Sequence, residues 1–205
     1  MCEIPSIVTN NLSKSQRKKV CNIGINDSEY LTTYIVNNKT ITCPYYQVWV
    51  NMLRRCYSAQ SLLKRPTYIG CSVCDKWLLF SNFKLWMEKQ DWVGKQLDKD
   101  LLIKGNKTYS PNTCLFVTSE INNILLNSEV SNSSNFIGMT WDNRRSRYLV
   151  RCNVSNKNVH LGHVKTQELA SNLYNSFKKK HIIEVASTQN DTQLKEALIR
   201  IASQY

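Results

Sequence analysis

The chain of 205 residues contains 27 Lys and Arg against 15 Asp and Glu, so its formal net charge is +12. Its hydrophobic content of 42% is enough for a buried core, and its length fits one large domain or two small ones. No apolar run approaches the ~20 residues of a membrane span. The first residues lack the apolar core of a signal peptide, which disfavours a secreted protein with disulfides. We therefore expect an intracellular protein with a polyanionic partner, although a basic protein without such a ligand is the alternative.

The positive charge is spread along the chain. Residues 41–128 and 129–205 each contain 11 basic and 6 acidic residues, and residues 1–40 contain 5 and 3. This distribution favours two modules that each face phosphate groups over a neutral domain with a basic tail. The polar residues 1–19 are interpreted as a flexible arm, which could contact phosphate or remain a solvated tail.

Taken in chain order, the first elements alternate between strands and helices. A hairpin is expected over residues 34–42, with its turn at Asn37 and Asn38. A helix begins at Pro44 and a second covers residues 82–89. Strands follow at 97–102 and 114–117, and Thr118 or Ser119 can cap the next helix.

The second half of the chain reads as a separate module. Residues 127–135 are rich in Ser and Asn, so we place a domain boundary near 128–134. Three short strands are expected at 137–141, 148–154 and 158–163, with helices at 166–180 and 193–202. The predicted domains are therefore an arm and hairpin (1–40), a first module (41–128), a second module (135–186) and a C-terminal helix (187–205).

Four cysteines occur in the first module, and two of them form a C-x-x-C motif. In a reducing compartment this spacing is typical of zinc ligands, and the other two could complete a tetrahedral site. The alternative is that all four are buried thiols that pack as small hydrophobic groups. The candidate zinc ligands are Cys56, Cys71, Cys74 and Cys114.

Asp98 and Asp100 are two residues apart on a predicted strand, so both carboxylates would lie on one face and could hold a hard divalent ion. Asn112, Asn122 and Asn123 follow from the next strand and helix. A metal held between a strand Asp and a helix Asn or His is the plan of the ββα-metal nucleases. The alternative is that both aspartates are ordinary surface charges.

In the second module, polar or basic residues alternate with apolar residues along the predicted strands. A three-stranded sheet would pack the apolar side on the helix and expose the polar side, where Arg and Asn suit base edges in a DNA groove. A solvated sheet face is the alternative. The candidate DNA-binding residues are Thr140, Arg144, Arg145, Arg147, Arg151, Asn153, Asn158 and His160.

Several stretches of residues 43–126 resemble the HNH-like (His-Me finger) homing endonucleases of bacteriophages. The matching stretches are residues 43–46, 52–57, 66–68, 70–74, 80–84, 97–100, 105–107 and 109–114, with Trp49 and Trp77. Residues 135–180 look like an APETALA2-type DNA-binding domain, through Gly138, Trp141, Tyr148 and Leu161-Gly162. The resemblance implies an α+β fold, in which a ββα-metal module precedes a three-stranded antiparallel sheet and helix.

The resemblance also implies hydrolysis of double-stranded DNA with Mg²⁺ or Mn²⁺, in the cytoplasm of a bacterial host and associated with its nucleoid. Asp98 falls at the first-strand Asp of the motif, Lys99 falls where the motif places its general-base His, and Asn122 or Asn123 falls near the helix ligand. We therefore favour a homing-like endonuclease. The alternative is a catalytically inactive scaffold that binds DNA or inhibits a protein of the host or of a competing phage.

Overall fold

The computed structural model describes residues 17–130, 138–154 and 157–205, and of residues 125–130 only the backbone. Residues 1–16 of the predicted arm and residues 131–134 of the predicted boundary lie outside this described part. The chain is a mixed α+β protein, as predicted, and it divides into two compact units. Unit 1 contains the described residues up to Val93 together with Ile103–Cys114, and unit 2 contains Gly94–Leu102 and Leu115–Tyr205.

Unit 1 is built from short elements around an aromatic core. Its strands are β1 (Thr33–Val36), β2 (Lys39–Thr42), β3 (Ser72–Val73) and β5 (Thr108–Tyr109), and its helices are α1 (Pro44–Tyr57), α2 (Ala59–Lys64) and α3 (Phe80–Met87). Strands β1 and β2 form the predicted antiparallel hairpin, whereas β3 and β5 pair in parallel. The hairpin turn is confirmed, because Asn37 and Asn38 both have positive φ angles, as a tight two-residue turn requires.

Helix α1 confirms the amphipathic pattern of the sequence. Proline stands in its first turn, where the missing N–H costs nothing. Trp49, Met52 and Leu53 are fully buried, and the Trp49 indole N–H donates to the Trp77 carbonyl at 2.7 Å. Phe80 lies against the Trp49 ring with a centroid distance of 5.5 Å. This packing fixes the middle of α1 against Trp77 and Phe80.

Unit 2 contains a three-stranded antiparallel sheet, a strand pair and three helices. The sheet has the order β7 (Met139–Asp142), β8 (Arg147–Val154) and β9 (Lys157–Val164). The pair is β4 (Gln96–Asp98) with β6 (Leu115–Val117), followed by α4 (Ser119–Val130). The last helices are α5 (Gln167–Ser187) and α6 (Thr192–Ala202). No helix in the described ranges is long and apolar enough to cross a membrane.

Two elements of unit 2 differ from the sequence prediction. The strand expected over 97–102 ends at Asp98, because its side chain accepts backbone N–H groups of the following residues and turns the chain. Helix α5 continues seven residues beyond Lys180, to Ser187, because Ile182 and Ala186 pack into a core with α6. The short elements α2, β3 and β5 were not predicted, since segments of two to six residues carry almost no periodic signal.

Candidate nucleic-acid interface

The exposed side of the β7–β8–β9 sheet collects the polar residues that the sequence pattern selected. Strand pairing aligns Asp142 with Arg147, Arg151 with His160, and Asn153 with Asn158. Directly paired residues share one side of a sheet, so these rows form one continuous surface. We call it the basic sheet face, and its members on the strands are Thr140, Asp142, Arg147, Leu149, Arg151, Asn153, Asn158, His160 and His163. All but Asp142, Leu149 and His163 are exposed.

The opposite side of the sheet packs on α5, as the strand pattern predicts. Val150 and Cys152 are fully buried against Ala170 and Tyr174 of that helix. Thr166 caps α5 by accepting the Leu169 N–H at 3.3 Å. Burial of one side leaves the basic sheet face as the side available to a ligand.

Trp141 departs from this pattern. Its parity assigns it to the buried side, yet 46% of the residue is exposed. Its ring packs against Tyr148 across the strand pair, with a centroid distance of 4.8 Å. Trp141 lies at the end of the sheet and lines a shallow concavity with Thr140, Leu149 and the turn residues 142–145. An aromatic ring is therefore accessible beside the arginines of the turn.

A β-bulge brings a second histidine onto the basic sheet face. The register shifts between Val150 and Arg151, so that Gly162 pairs with Val150 while His160 pairs with Arg151. Leu161 is the extra residue and packs towards the core. His160 and His163, which are three residues apart, consequently lie on the same side of the sheet. The sequence pattern missed His163 because strict alternation places it on the buried side, although Gly162 was a signal for a bulge.

Asp142 organises the turn between β7 and β8. Its Oδ1 accepts the backbone N–H groups of Arg144 and Arg145, at 3.0 and 3.3 Å. Its Oδ2 lies 3.2 Å from the Arg145 guanidinium and 3.7 Å from His163 Nε2. Partial burial by itself raises the pKa of Asp142, but the N–H groups of Arg145 and Arg144 and the Arg145 guanidinium lower it below its ordinary value. The turn is thus held with its arginines exposed.

The arginines of this region are mostly uncompensated. Arg145 pairs with Asp142, whereas no acidic side chain of the described ranges pairs with Arg144, Arg147 or Arg151. The outer strands of a three-stranded sheet are separated by about 10 Å. The major groove of DNA is about 12 Å wide. In size and charge the basic sheet face can therefore enter that groove.

The residues around Asp98 have a different arrangement. Asp98 Oδ1 accepts the N–H groups of Asp100 and Leu101, at 2.9 and 2.8 Å, and so closes a turn directly after β4. Burial raises the pKa of the Asp98 carboxyl above its ordinary value, although these two hydrogen bonds lower it. Asp98 and Asp100 do not lie on one strand face as predicted, because Asp100 belongs to the turn that Asp98 stabilises.

These residues do not fit a Mg²⁺ site. The Lys99 ammonium group is almost fully buried and lies 2.5 Å from Asp100 Oδ1, so a resident cation already neutralises this carboxylate. The Asn122 amide N–H donates to Gln96 Oε1 at 2.8 Å. Asn123 is half-buried on α4, and Asn112 is exposed.

The four candidate zinc ligands all belong to unit 1. Cys56, Cys71 and Cys114 are buried, and Cys74 is half-buried. Within the described ranges, no three side chains of His, Cys, Asp or Glu are grouped closely enough to hold a metal ion. Cys56, Cys71 and Cys114 are packed among the buried residues of unit 1, and zinc binding stays a prediction.

Comparison of the chain with family models, with curated proteins and with solved structures found no match.

Proposed function

We propose that the protein binds double-stranded DNA, and that the basic sheet face of unit 2 is its contact surface. The observation that carries this proposal is the composition of the basic sheet face. Arg147, Arg151 and two asparagines are exposed there on one side of a sheet whose other side packs on α5. Arginine and asparagine are the side chains that read guanine and adenine edges in pairs of hydrogen bonds. The formal charge of +12 supports phosphate contacts around that surface.

The direct test is fluorescence anisotropy of the full chain with a labelled 20-base-pair duplex, measured at several salt concentrations. We expect binding that weakens linearly with the logarithm of salt concentration, because phosphate contacts release counterions. Polyglutamate of equal charge serves as the competitor. If it displaces DNA at equal charge concentration, the surface binds polyanions in general and an acidic protein becomes the better partner.

A second candidate function is hydrolysis of the bound DNA. One observation favours it, because β4 and β6 pair antiparallel and α4 follows directly, which is the strand–strand–helix order of a ββα-metal module. The bonding of Asp98 and the Lys99–Asp100 pair argue against it, and the inactive scaffold is therefore our preferred alternative. A plasmid-nicking assay with Mg²⁺ and Mn²⁺ decides between them, and cleavage that is lost in Asp98→Asn, which keeps an acceptor oxygen for the turn, would establish the enzyme.

A further inference from the structure

A cavity in unit 1 is lined mostly by cationic side chains. It measures about 370 Å³ and lies where the C-terminal turn of α1 meets α2. We call it the basic cavity, and its lining residues are Asn51, Arg54, Arg55, Ser61, Lys64 and Arg65. Four of the six are basic and none is acidic. Like charges in a concave surface repel each other, so such a cavity favours an anionic ligand.

One cation of the basic cavity is held in place by aromatic neighbours. The Arg55 guanidinium is hydrogen-bonded to the Tyr109 side chain and lies over the Tyr68 ring, 5.8 Å from its centroid. Tyr109 is 1% exposed, so this support is rigid. A guanidinium fixed before binding loses little conformational entropy when it forms paired hydrogen bonds to phosphate oxygens.

The other three cations form no ion pair in the described part of the chain, although the charge of Arg54 also acts on Tyr46 and Cys21. Arg54, Lys64 and Arg65 are exposed, and no acidic side chain there pairs with them. They stand at helix C-termini, where cations are weakly favoured. The terminal carbonyls are already occupied, since the Arg54 carbonyl accepts the Ser58 N–H and the Ser61 carbonyl accepts the Arg65 N–H. Helix capping therefore does not account for the grouping.

We propose that the basic cavity binds phosphate groups of a nucleic-acid backbone and gives unit 1 its own contact with the ligand. The cavity volume accommodates a phosphate with its flanking sugars, and Ser61 and Asn51 supply neutral donors beside the cations. The identity of the ligand as nucleic acid rests on the proposed function, whereas the preference for phosphate rests on the cavity itself.

The test compares two triple variants of the full chain that lose the same charge. The cavity variant is R54Q/K64Q/R65Q, which leaves the buried contacts of Arg55 intact. The control is K39Q/K76Q/K89Q, which removes three exposed lysines of unit 1 outside the cavity. Binding of the 20-base-pair duplex is measured by anisotropy between about 50 and 200 mM salt, a range in which affinity that depends on phosphate contacts falls steeply. Folding is checked by circular dichroism.

We expect the cavity variant to bind at least about tenfold more weakly and to reduce the salt slope by about 2 to 3, since each phosphate contact contributes about 0.9. The control variant should retain the slope of the unmodified protein. Equal losses in both variants, or no loss in either, would overturn the proposal. Micromolar binding of inorganic pyrophosphate that the cavity variant loses would also overturn it, in favour of a small phosphate ligand.

A third variant, R147Q/R151Q, separates this proposal from the proposed function. If it abolishes DNA binding while the cavity variant keeps the full slope, the sheet is the contact surface and the cavity proposal fails. If the cavity variant loses slope while R147Q/R151Q binds normally, the cavity proposal stands and the proposed role of the sheet fails.

Discussion

The imidazole rings of His160 and His163 lie 5.1 Å apart on the basic sheet face, although strict alternation would place residues three positions apart on opposite sides. The bulge at Leu161 and Gly162 makes this possible. It places His163 within 3.7 Å of Asp142, the acidic residue that holds the Arg144–Arg145 turn. A single carboxylate thus stands on a surface that we propose faces phosphate groups.

Asp142→Asn should strengthen DNA binding about threefold to tenfold, because it removes this negative charge and keeps a side-chain oxygen that can accept the turn N–H groups. The measurement is fluorescence anisotropy of the labelled duplex at about 100 mM salt, where phosphate contacts still contribute to the affinity. Asp191→Asn on unit 2 is the matched control, since it caps α6 in the same way through the Leu194 N–H. Weaker binding by Asp142→Asn would contradict the assignment of this face.

The same residue gives a pH dependence of stability. The folded-state pKa of Asp142 is lowered, so its contribution is present above the unfolded pKa of about 3.9 and is lost as the pH falls through the folded value. Asp142→Asn should therefore flatten the acid limb of the stability profile.

Among the glycines of unit 2, Gly138 is the one with least room for a side chain. A Cβ there would lie 2.3 Å from the Tyr174 ring and 2.6 Å from the Arg151 carbonyl oxygen. Gly94 has the same φ of +73° with nothing within 4 Å, so Gly94→Ala isolates the cost of the backbone conformation. We expect Gly94→Ala to cost about 1 to 2 kcal/mol. Gly138→Ala should cost about 1 to 3 kcal/mol more. Equal losses in urea unfolding would show that the sheet and α5 are not packed as described.

The sequence predicted the helices and strands well where one side is apolar over two turns or more, as in α1, α6 and the β7–β9 sheet. It failed where one side chain redirects the backbone. Asp98 stops its strand by accepting two N–H groups, and the bulge at Gly162 reverses the side on which His163 lies. The basic cavity was also not predicted, because Arg54 and Arg65 come together only after α1 and α2 turn on Ser58, which caps α2.

Asp98 is expected to act as a structural residue. Asp98→Ala removes the acceptor of two N–H groups and should lower the free energy of unfolding by about 1 to 2 kcal/mol. Asp98→Asn keeps an acceptor oxygen and should cost much less. Urea unfolding at pH 7 measures both.

The pH dependence of these variants has a defined sign. Because burial raises the folded-state pKa of Asp98, its stabilising contribution is complete below about pH 3.9 and is lost as the pH rises through the folded value. Relative to the unmodified protein, Asp98→Asn should therefore gain stability as the pH rises from about 4 towards neutrality. A Mg²⁺-dependent rise in Tm that Asp98→Asn abolishes would instead identify Asp98 as a metal ligand.

Lys178 is buried, although a run of three lysines, Lys178–Lys180, would indicate exposed residues. Only 1% of the residue is exposed, and burial lowers the pKa of its ammonium group, which faces Cys152 and His181. Lys178→Met should raise the free energy of unfolding at pH 7 by about 1 to 3 kcal/mol, because it replaces a buried ammonium group by an apolar side chain of similar shape.

The gain should shrink towards pH 10, near the unfolded lysine pKa of about 10.4, because the folded protein then carries Lys178 without its charge. Lys179→Met, on the exposed neighbour, is the control and should leave the stability nearly unchanged. A loss of stability in Lys178→Met would mean that the ammonium group makes a necessary contact.

Two variants that lose the same charge test directly whether the basic sheet face contacts DNA. R147Q/R151Q removes two arginines from the face, and K179Q/K195Q removes two exposed lysines of unit 2 from helices α5 and α6. We expect duplex affinity to fall at least about tenfold in R147Q/R151Q, since each lost arginine contact costs about 1 to 3 kcal/mol. The control should remain within about threefold of the unmodified protein, which corresponds to charge loss alone. Equal affinity of the two variants would contradict the proposed interface.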